Sequence, residues 1–301
     1  MDEFELIDQI VAELGAVSSG DDVILGPGDD ASVLRPPPGE VLVSSIDALV
    51  AGVHFPAAAD PELVGYRALM VSLSDLAAMG ASPAQVLVAL TLSDGDVDWV
   101  RGLARGMRRA AESAGVKLPG GNIARGPLNI TVSVNGFCPE AMLLRRAGAR
   151  AGDHIYVSGE LGGAAAALGR GGLEKYNGSA SLDKLASRYF QPEARLGAGM
   201  ALRGVAHSAI DVSDGLLQDL GHLCRASAVG AELDSTLVPV CAGATLEQAL
   251  TGGDDYELLF TAPATIPALG FSVHRIGTIV PGAGVRVDGK ETGQRGYRHF
   301  G

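Results

Sequence analysis

Much of the familiar equipment of enzymes and binding proteins is missing from this chain. It has three cysteines, Cys138, Cys224 and Cys241. An odd number with no CxxC pair excludes a disulfide framework and a cysteine-rich zinc site, so a reducing, cytoplasmic location is expected. Lysines number four, Lys117, Lys175, Lys184 and Lys290, and none stands in a GxxxxGK[ST] phosphate loop. No GxSxG elbow, HExxH helix or kinase HRD/DFG set occurs, and the six histidines are scattered. Basic runs are absent and the net charge is −12, which speaks against nucleic acid as a partner. An anionic ligand would have to be held through cations. No apolar run nears the roughly 18 residues of a membrane span, and "MDEFELIDQI" lacks a basic leader, so neither a membrane partner nor a signal peptide is expected. Aromatics are scarce at 5%.

What remains is a glycine-rich chain, 42 Gly in 301 residues, long enough for two domains packed with Val, Leu and Ala. "EFELIDQIVAEL" puts Phe4, Ile7, Val11 and Leu14 on one helical face. Residues 40–47 and 84–92 read as strands around a helix that starts near Pro61 and stops at Gly80. Asp96 reads as the N-cap of the next helix, and "LNITVSVNGF" as a further strand. A basic, Ala/Gly-rich passage at 138–153 breaks the pattern and marks a boundary, giving domains 1–145 and 146–301. The second half carries a strand at "HIYVSG", helices near 160–169, 181–190 and 193–204, a strand-to-helix passage "SAIDVSDGLLQDLGHLC", and strands in "DYELLFTAP", "FSVHRIGTIV" and "VRVDG". Alternation in both halves predicts an α/β (α+β) protein.

Paired acids sit on glycine hinges twice, in "GPGDDASVL" (26–34) and "TGGDDYELLF" (251–260). Gly-Asp is ordinary turn chemistry, so the pairs gain meaning only if other acids join them. Others do: Asp47 and Asp211 end strands, Asp75 lies in a helix, and Asp214 stands where a helix begins. Asp214 alone fits an N-cap equally well. Carboxylates gathered at strand ends suit a shared Mg²⁺, which takes hard oxygen ligands and phosphate oxygens.

The ordered blocks "GPGDDASVL", "DALVAGVHF", "SLSDLAAMGASP", "GGNIARGPLNITVSVNG", "RAGARAGDHIYVSGELG", "DVSDGLLQDLGHLCRAS" and "GGDDYELLF" resemble the thiamine-monophosphate kinases. These belong to the aminoimidazole-ribonucleotide-synthetase-like (PurM-like) superfamily, and the likeness runs from about residue 4 to the end. The resemblance implies a two-domain architecture, an N-terminal mixed sheet with helices and a C-terminal α/β domain. It also implies a homodimer built through the N-terminal sheets, a cleft between the domains as active site, and transfer of the γ-phosphoryl of ATP onto thiamine monophosphate with several Mg²⁺ ions. By the same resemblance Asp30, Ser45, Asp47, Asp75 and Asp211 match Mg²⁺ ligands and Asp214 a further metal site. Ile46 is a ligand position where only a main-chain carbonyl is on offer. Gly121, Asn122, Arg146 and Ser213 match nucleotide contacts, with Arg105 where an aromatic commonly packs. His54 and Glu257 match contacts to thiamine phosphate, and Tyr297 stands for the family's Trp over the thiamine. The chain departs from the family's "GGDTT" with "GGNIA", so Asn122 replaces a metal-binding aspartate. The other readings are another ATP-using enzyme of the superfamily and a non-catalytic binding homologue.

Overall fold

The computed structural model describes residues 3–20, 23–27, 31–93, 95–176, 181–292 and 296. The chain divides into two units, one comprising 1–76, 82–139 and 172–183, the other 77–81, 140–171 and 184–301. The main change of unit thus falls after Pro139, and two short segments are exchanged across it.

In the first unit the elements are α1 (Glu3–Leu14), β1 (Val23–Leu25), β2 (Val33–Leu34), β3 (Glu40–Val50), α2 (Pro61–Ala78), β4 (Ser82–Leu92), α3 (Val97–Ala114), β5 (Lys117–Arg125) and β6 (Asn129–Pro139). Four strands form a sheet in the order β3-β6-β4-β5, antiparallel except for the parallel β4/β5 pair. Residues paired across strands share a face. Asp47, Val132, Val88 and Gly121 therefore line one face, and Ala48, Thr131, Ala89 and Asn122 the other. The Asp47 face is the core side, where Val86, Leu90, Ile130, Val132 and Val134 are all buried. On the opposite face Leu42 and Ile46 are 61% and 66% exposed.

Helix α2 is buried nearly all round, from Leu63 and Val64 through Leu73 to Leu76, with Arg67, Ser72 and Ser74 buried among them and Asp75 half-buried. It meets α3 at van der Waals distance because glycine stands at the crossing: a Cβ on Gly106 would lie 2.0 Å from the Glu62 carbonyl oxygen. Asp96 caps α3, accepting from the N–H groups of Asp98 and Trp99. Strand β5 was not foreseen. "KLPGGNIAR" carries Pro119 and two glycines, which disfavour a central strand, yet a sheet edge tolerates both.

The second unit holds β7 (His154–Val157), α4 (Gly163–Arg170), α5 (Lys184–Phe190), α6 (Leu196–Ala201), β8 (Ser208–Asp211), α7 (Leu216–Ser227), β9 (Gly230–Leu233), α8 (Leu246–Thr251), β10 (Leu258–Ala262), β11 (His274–Val280), β12 (Gly284–Val287) and β13 (Lys290–Glu291). Its sheet runs β13-β12-β9-β11-β7-β10-β8, with β9/β12 the parallel pair. Ile155, Val157, Ile210, Leu259, Ile276 and Ile279 from the sheet bury against Leu216, Leu220 and Leu223 of α7. This sheet brings the strand-end Asp211 beside Leu258, where the preceding loop enters β10. The mixed helix-and-sheet fold class is as expected from the alternating pattern. The Ala-rich helix begins later than expected, at Gly163, because residues 158–162 are taken up by the site described below.

Candidate active site

Strand β3 alternates, so Ser45 and Asp47 face α2 while Ile46 faces away. The Ser45 hydroxyl donates to Asp75 Oδ2 at 2.5 Å. Burial and the nearby Asp75 carboxylate raise the Asp47 pKa above its ordinary value, against a hydrogen bond from Ser72 that lowers it. Two carboxylates and two hydroxyls thus converge where strand and helix meet. Such a hard-oxygen set under like-charge repulsion fits a divalent cation of the Mg²⁺ type.

In the second unit Asp211 is buried at the end of β8, and the chain turns through 212–215 into α7. Of the two roles the sequence leaves open for Asp214, metal ligand or N-cap, capping is not the one it takes. The three N–H groups of Ser213, Asp214 and Gly215 all donate to Oδ2 of Asp219, one turn into the helix, at 3.0–3.1 Å. Asp214 is left to accept from Gln218 Nε2 at 2.9 Å. Burial, Asp211 and Asp214 push Asp219 up to about 8, while those N–H donors pull the other way. Asp214, Asp219 and His222 offer ligand atoms within 4.8 Å of one another. Burial and the guanidiniums of Arg225 and Arg146 lower the His222 pKa, leaving the imidazole neutral at pH 7. Asp219 and His222 were passed over in the sequence; their i, i+3 spacing on the helix opened by Asp214 was the available signal.

Glu257 sits just before β10 and is 1% exposed. Its Oε2 accepts from Ser158 Oγ at 2.6 Å and Arg195 Nε at 2.7 Å. Its Oε1 accepts from Arg195 Nη2 at 2.6 Å and Arg188 Nη1 at 3.3 Å. The turn before it is strained, with Asp254 at φ 69° and Tyr256 at φ 52°, and the Tyr256 hydroxyl donates to Asp254. Asp255 accepts from the Gly162 N–H at 2.7 Å, and burial pushes it up to about 7. The acids of "GGDDYE" therefore shape a turn and fix a buried carboxylate. Cavities of about 270 and 640 Å³ flank this cluster.

The chain matches the family models described as AIR synthase related protein, N-terminal domain, over residues 28–138, and its C-terminal domain over 150–290. It is 44% identical over 256 residues to the thiamine-monophosphate kinase of Escherichia coli O157:H7, covering 82% of this chain and 78% of that one. The chain belongs to the thiamine-monophosphate kinase family. It is a phosphotransferase of that family. The crystal structure of thiamine-monophosphate kinase from Stenotrophomonas maltophilia K279a is similar at 40% identity and TM-score 0.86, covering 97% of this chain and 98% of that one. A second structure, "AaThiL complexed with AMPPCP and TMP", is similar at 32% identity and TM-score 0.82, covering 99% and 97%.

The other positions singled out by family resemblance fall in both units. His54 follows β3 and accepts at Nδ1 from the Val50 N–H at 3.0 Å. Arg105 lies on α3 within 4 Å of Glu13 and Glu62, so its charge is met on its own surface. Arg146 is exposed ahead of β7, and its carbonyl accepts from Ser227. Ser213 gives its N–H to Asp219 and its carbonyl to the Asp254 N–H. Gly121 is on the Asp47 face, whereas the neighbouring Asn122 is exposed on the opposite face. Asp30 and Tyr297 lie outside the described residues.

Proposed function

We propose that this chain phosphorylates thiamine monophosphate with ATP, giving thiamine diphosphate and ADP by direct in-line transfer. The observation that carries the proposal is the Ser45–Asp75–Asp47 cluster, a hard-oxygen site under charge strain in a thiamine-monophosphate kinase family member. It is supported by the similar structure complexed with both AMPPCP and TMP. A phosphate oxygen of the acceptor forms the new P–O bond to the γ-phosphorus while the bond to the β–γ bridging oxygen breaks, and ADP leaves with that electron pair. A phosphate monoester has a second pKa of about 6, so the nucleophile needs no base. This agrees with a site built from acids.

When bound, several Mg²⁺ ions would supply charge neutralisation between two polyanions and alignment for attack. In the first unit Asp30, Ser45, Asp47 and Asp75 would hold them, with the Ile46 main-chain carbonyl. In the second, Asp211 and Asp214 would serve that role. Gly121, Asn122, Arg146, Ser213 and Arg105 stand on the nucleotide side of the reading, and Arg146 offsets triphosphate charge. His54, Glu257 and Tyr297 stand on the thiamine-phosphate side. We place the enzyme in a reducing, cytoplasmic setting, as three buried thiols suit. A homodimer formed through the exposed sheet face is supported by the apolar row Leu42, Ile46 and Val50.

The test is incubation of the purified chain with ATP, Mg²⁺ and thiamine monophosphate, followed by assay for thiamine diphosphate and ADP. ADP without thiamine diphosphate would favour another acceptor. Neither product would point to a binding homologue.

A further inference from the structure

Both oxygens of Glu257 are committed to groups of the protein itself. A carboxylate has about four acceptor positions, and here two donors meet each oxygen. The group is also 1% exposed. The backbone is shaped to keep it there: a Cβ on Gly159 would lie 2.5 Å from Glu257 Oε1. Its partners differ from one another. Arg195 grips both oxygens as a short fork, at 2.6 and 2.7 Å, and Ser158 is anchored in turn by accepting the Leu258 N–H at 2.8 Å. Arg188 reaches Glu257 at 3.3 Å and Glu160 at 3.4 Å.

Both acids that Arg188 reaches are already better served. Glu257 has Arg195, and Glu160 has Lys184 at 3.0 Å. Glu193, the third acid of the cluster, pairs with Arg195 Nη1 at 2.7 Å and is 70% exposed. Arg188 thus shares each of its acids with a cation that sits closer, and Cys241 is its third partner. Its side chain is 29% exposed and lines both cavities, with Asp255 the remaining carboxylate beside it. A guanidinium held loosely on one side keeps its other N–H groups for an oxyanion.

We propose that Arg188 binds a phosphate oxygen of the acceptor, a phosphate monoester, and that Glu257 is a positioning residue acting through Arg188. The inference rests on the reading that Glu257 stands at the thiamine-phosphate side of the site. Glu257 fixes where the guanidinium lies; Arg188 makes the contact.

The experiment measures equilibrium binding of thiamine monophosphate, unphosphorylated thiamine and AMPPCP to the full chain. Arg188→Ala should weaken thiamine monophosphate about 10- to 100-fold, the worth of one charge-assisted hydrogen-bonding group. Thiamine and AMPPCP affinities should stay within about twofold of the parent, since neither presents that acceptor phosphate. Glu257→Gln should move thiamine monophosphate in the same direction and spare thiamine. Arg188→Lys, a point charge lacking the fork, should fall between parent and Arg188→Ala, and it serves if the alanine variant does not fold. An Arg188→Ala chain that keeps the parent's preference for thiamine monophosphate over thiamine overturns the proposal. So does one that loses both ligands equally. A parent chain that makes no thiamine diphosphate overturns the kinase reading instead, and the ligand preference still judges Arg188.

Discussion

Asp47 shows how a single residue can work against its own fold. Its carboxyl is raised by burial and by Asp75, so between about pH 4 and the raised value the folded chain holds a proton that the unfolded chain has released. In metal-free buffer that contribution to stability is present at low pH and lost as pH climbs through the folded pKa. Asp47→Asn removes the repulsion. We expect it to raise the EDTA-measured Tm by about 2 °C at pH 8 while cutting thiamine diphosphate formation at least about 100-fold, the usual trade between stability and a charged site. A Tm that falls instead would mean that the cluster is structural. Asn122 gives the opposite case. It replaces the family's aspartate, yet its pairing with Ala89 and Thr131 puts it on the sheet face away from Asp47. Asn122→Asp should therefore leave the Mg²⁺ concentration for half-maximal activity unchanged, and a lowered midpoint would contradict that placement. The sequence made Asp47 and Asp75 legible because acids at strand and helix positions are conspicuous. Which face Asn122 takes depended on a strand hidden by Pro119 and its glycines.

Among the elements, close approach of α2 and α3 depends on the missing side chain at Gly106. Gly106→Ala would press a methyl into the Glu62 carbonyl and should cost at least about 2 kcal/mol, read as an earlier urea midpoint for the first unit. The turn ahead of β10 carries its own pH signature. Asp255 is raised to about 7 from 3.8, so stability declines as pH rises across that interval. Asp255→Asn can still accept from the Gly162 N–H, and it should flatten the slope of Tm against pH between 4 and 7. An unaltered slope would assign the dependence elsewhere. Local signals explain what could be read at this scale. Asp96 announced its helix because a cap and its N–H partners are two and three residues apart. The Glu257 cluster was invisible because Ser158 and Arg195 reach it from 99 and 62 residues away. Asp219 was hidden for a subtler reason: a side chain inside the helix, not before it, satisfies the opening turn.

At the scale of the whole molecule, two-part organisation and mixed class followed from alternating strands and helices, and among the described residues no helix is long and apolar enough to cross a membrane. Ile46, 66% exposed in the row with Leu42 and Val50, is the place to test self-association. Ile46→Glu keeps the main-chain carbonyl and puts a charge into that row. It should convert a dimer to a monomer at micromolar concentration in light scattering, and a parent chain already monomeric would remove the dimer altogether.

The exchanged segments have a consequence for how the protein is made. Residues 172–183 belong with the first unit although the chain between them and Pro139 belongs with the second. A nascent chain leaving the ribosome therefore cannot finish its first unit when that unit's last strand emerges. It must wait until residues 140–171 of the second have followed, so the two halves mature as overlapping events during synthesis. Vectorial order, which normally lets an N-terminal module fold alone, is suspended here by twelve residues that arrive late.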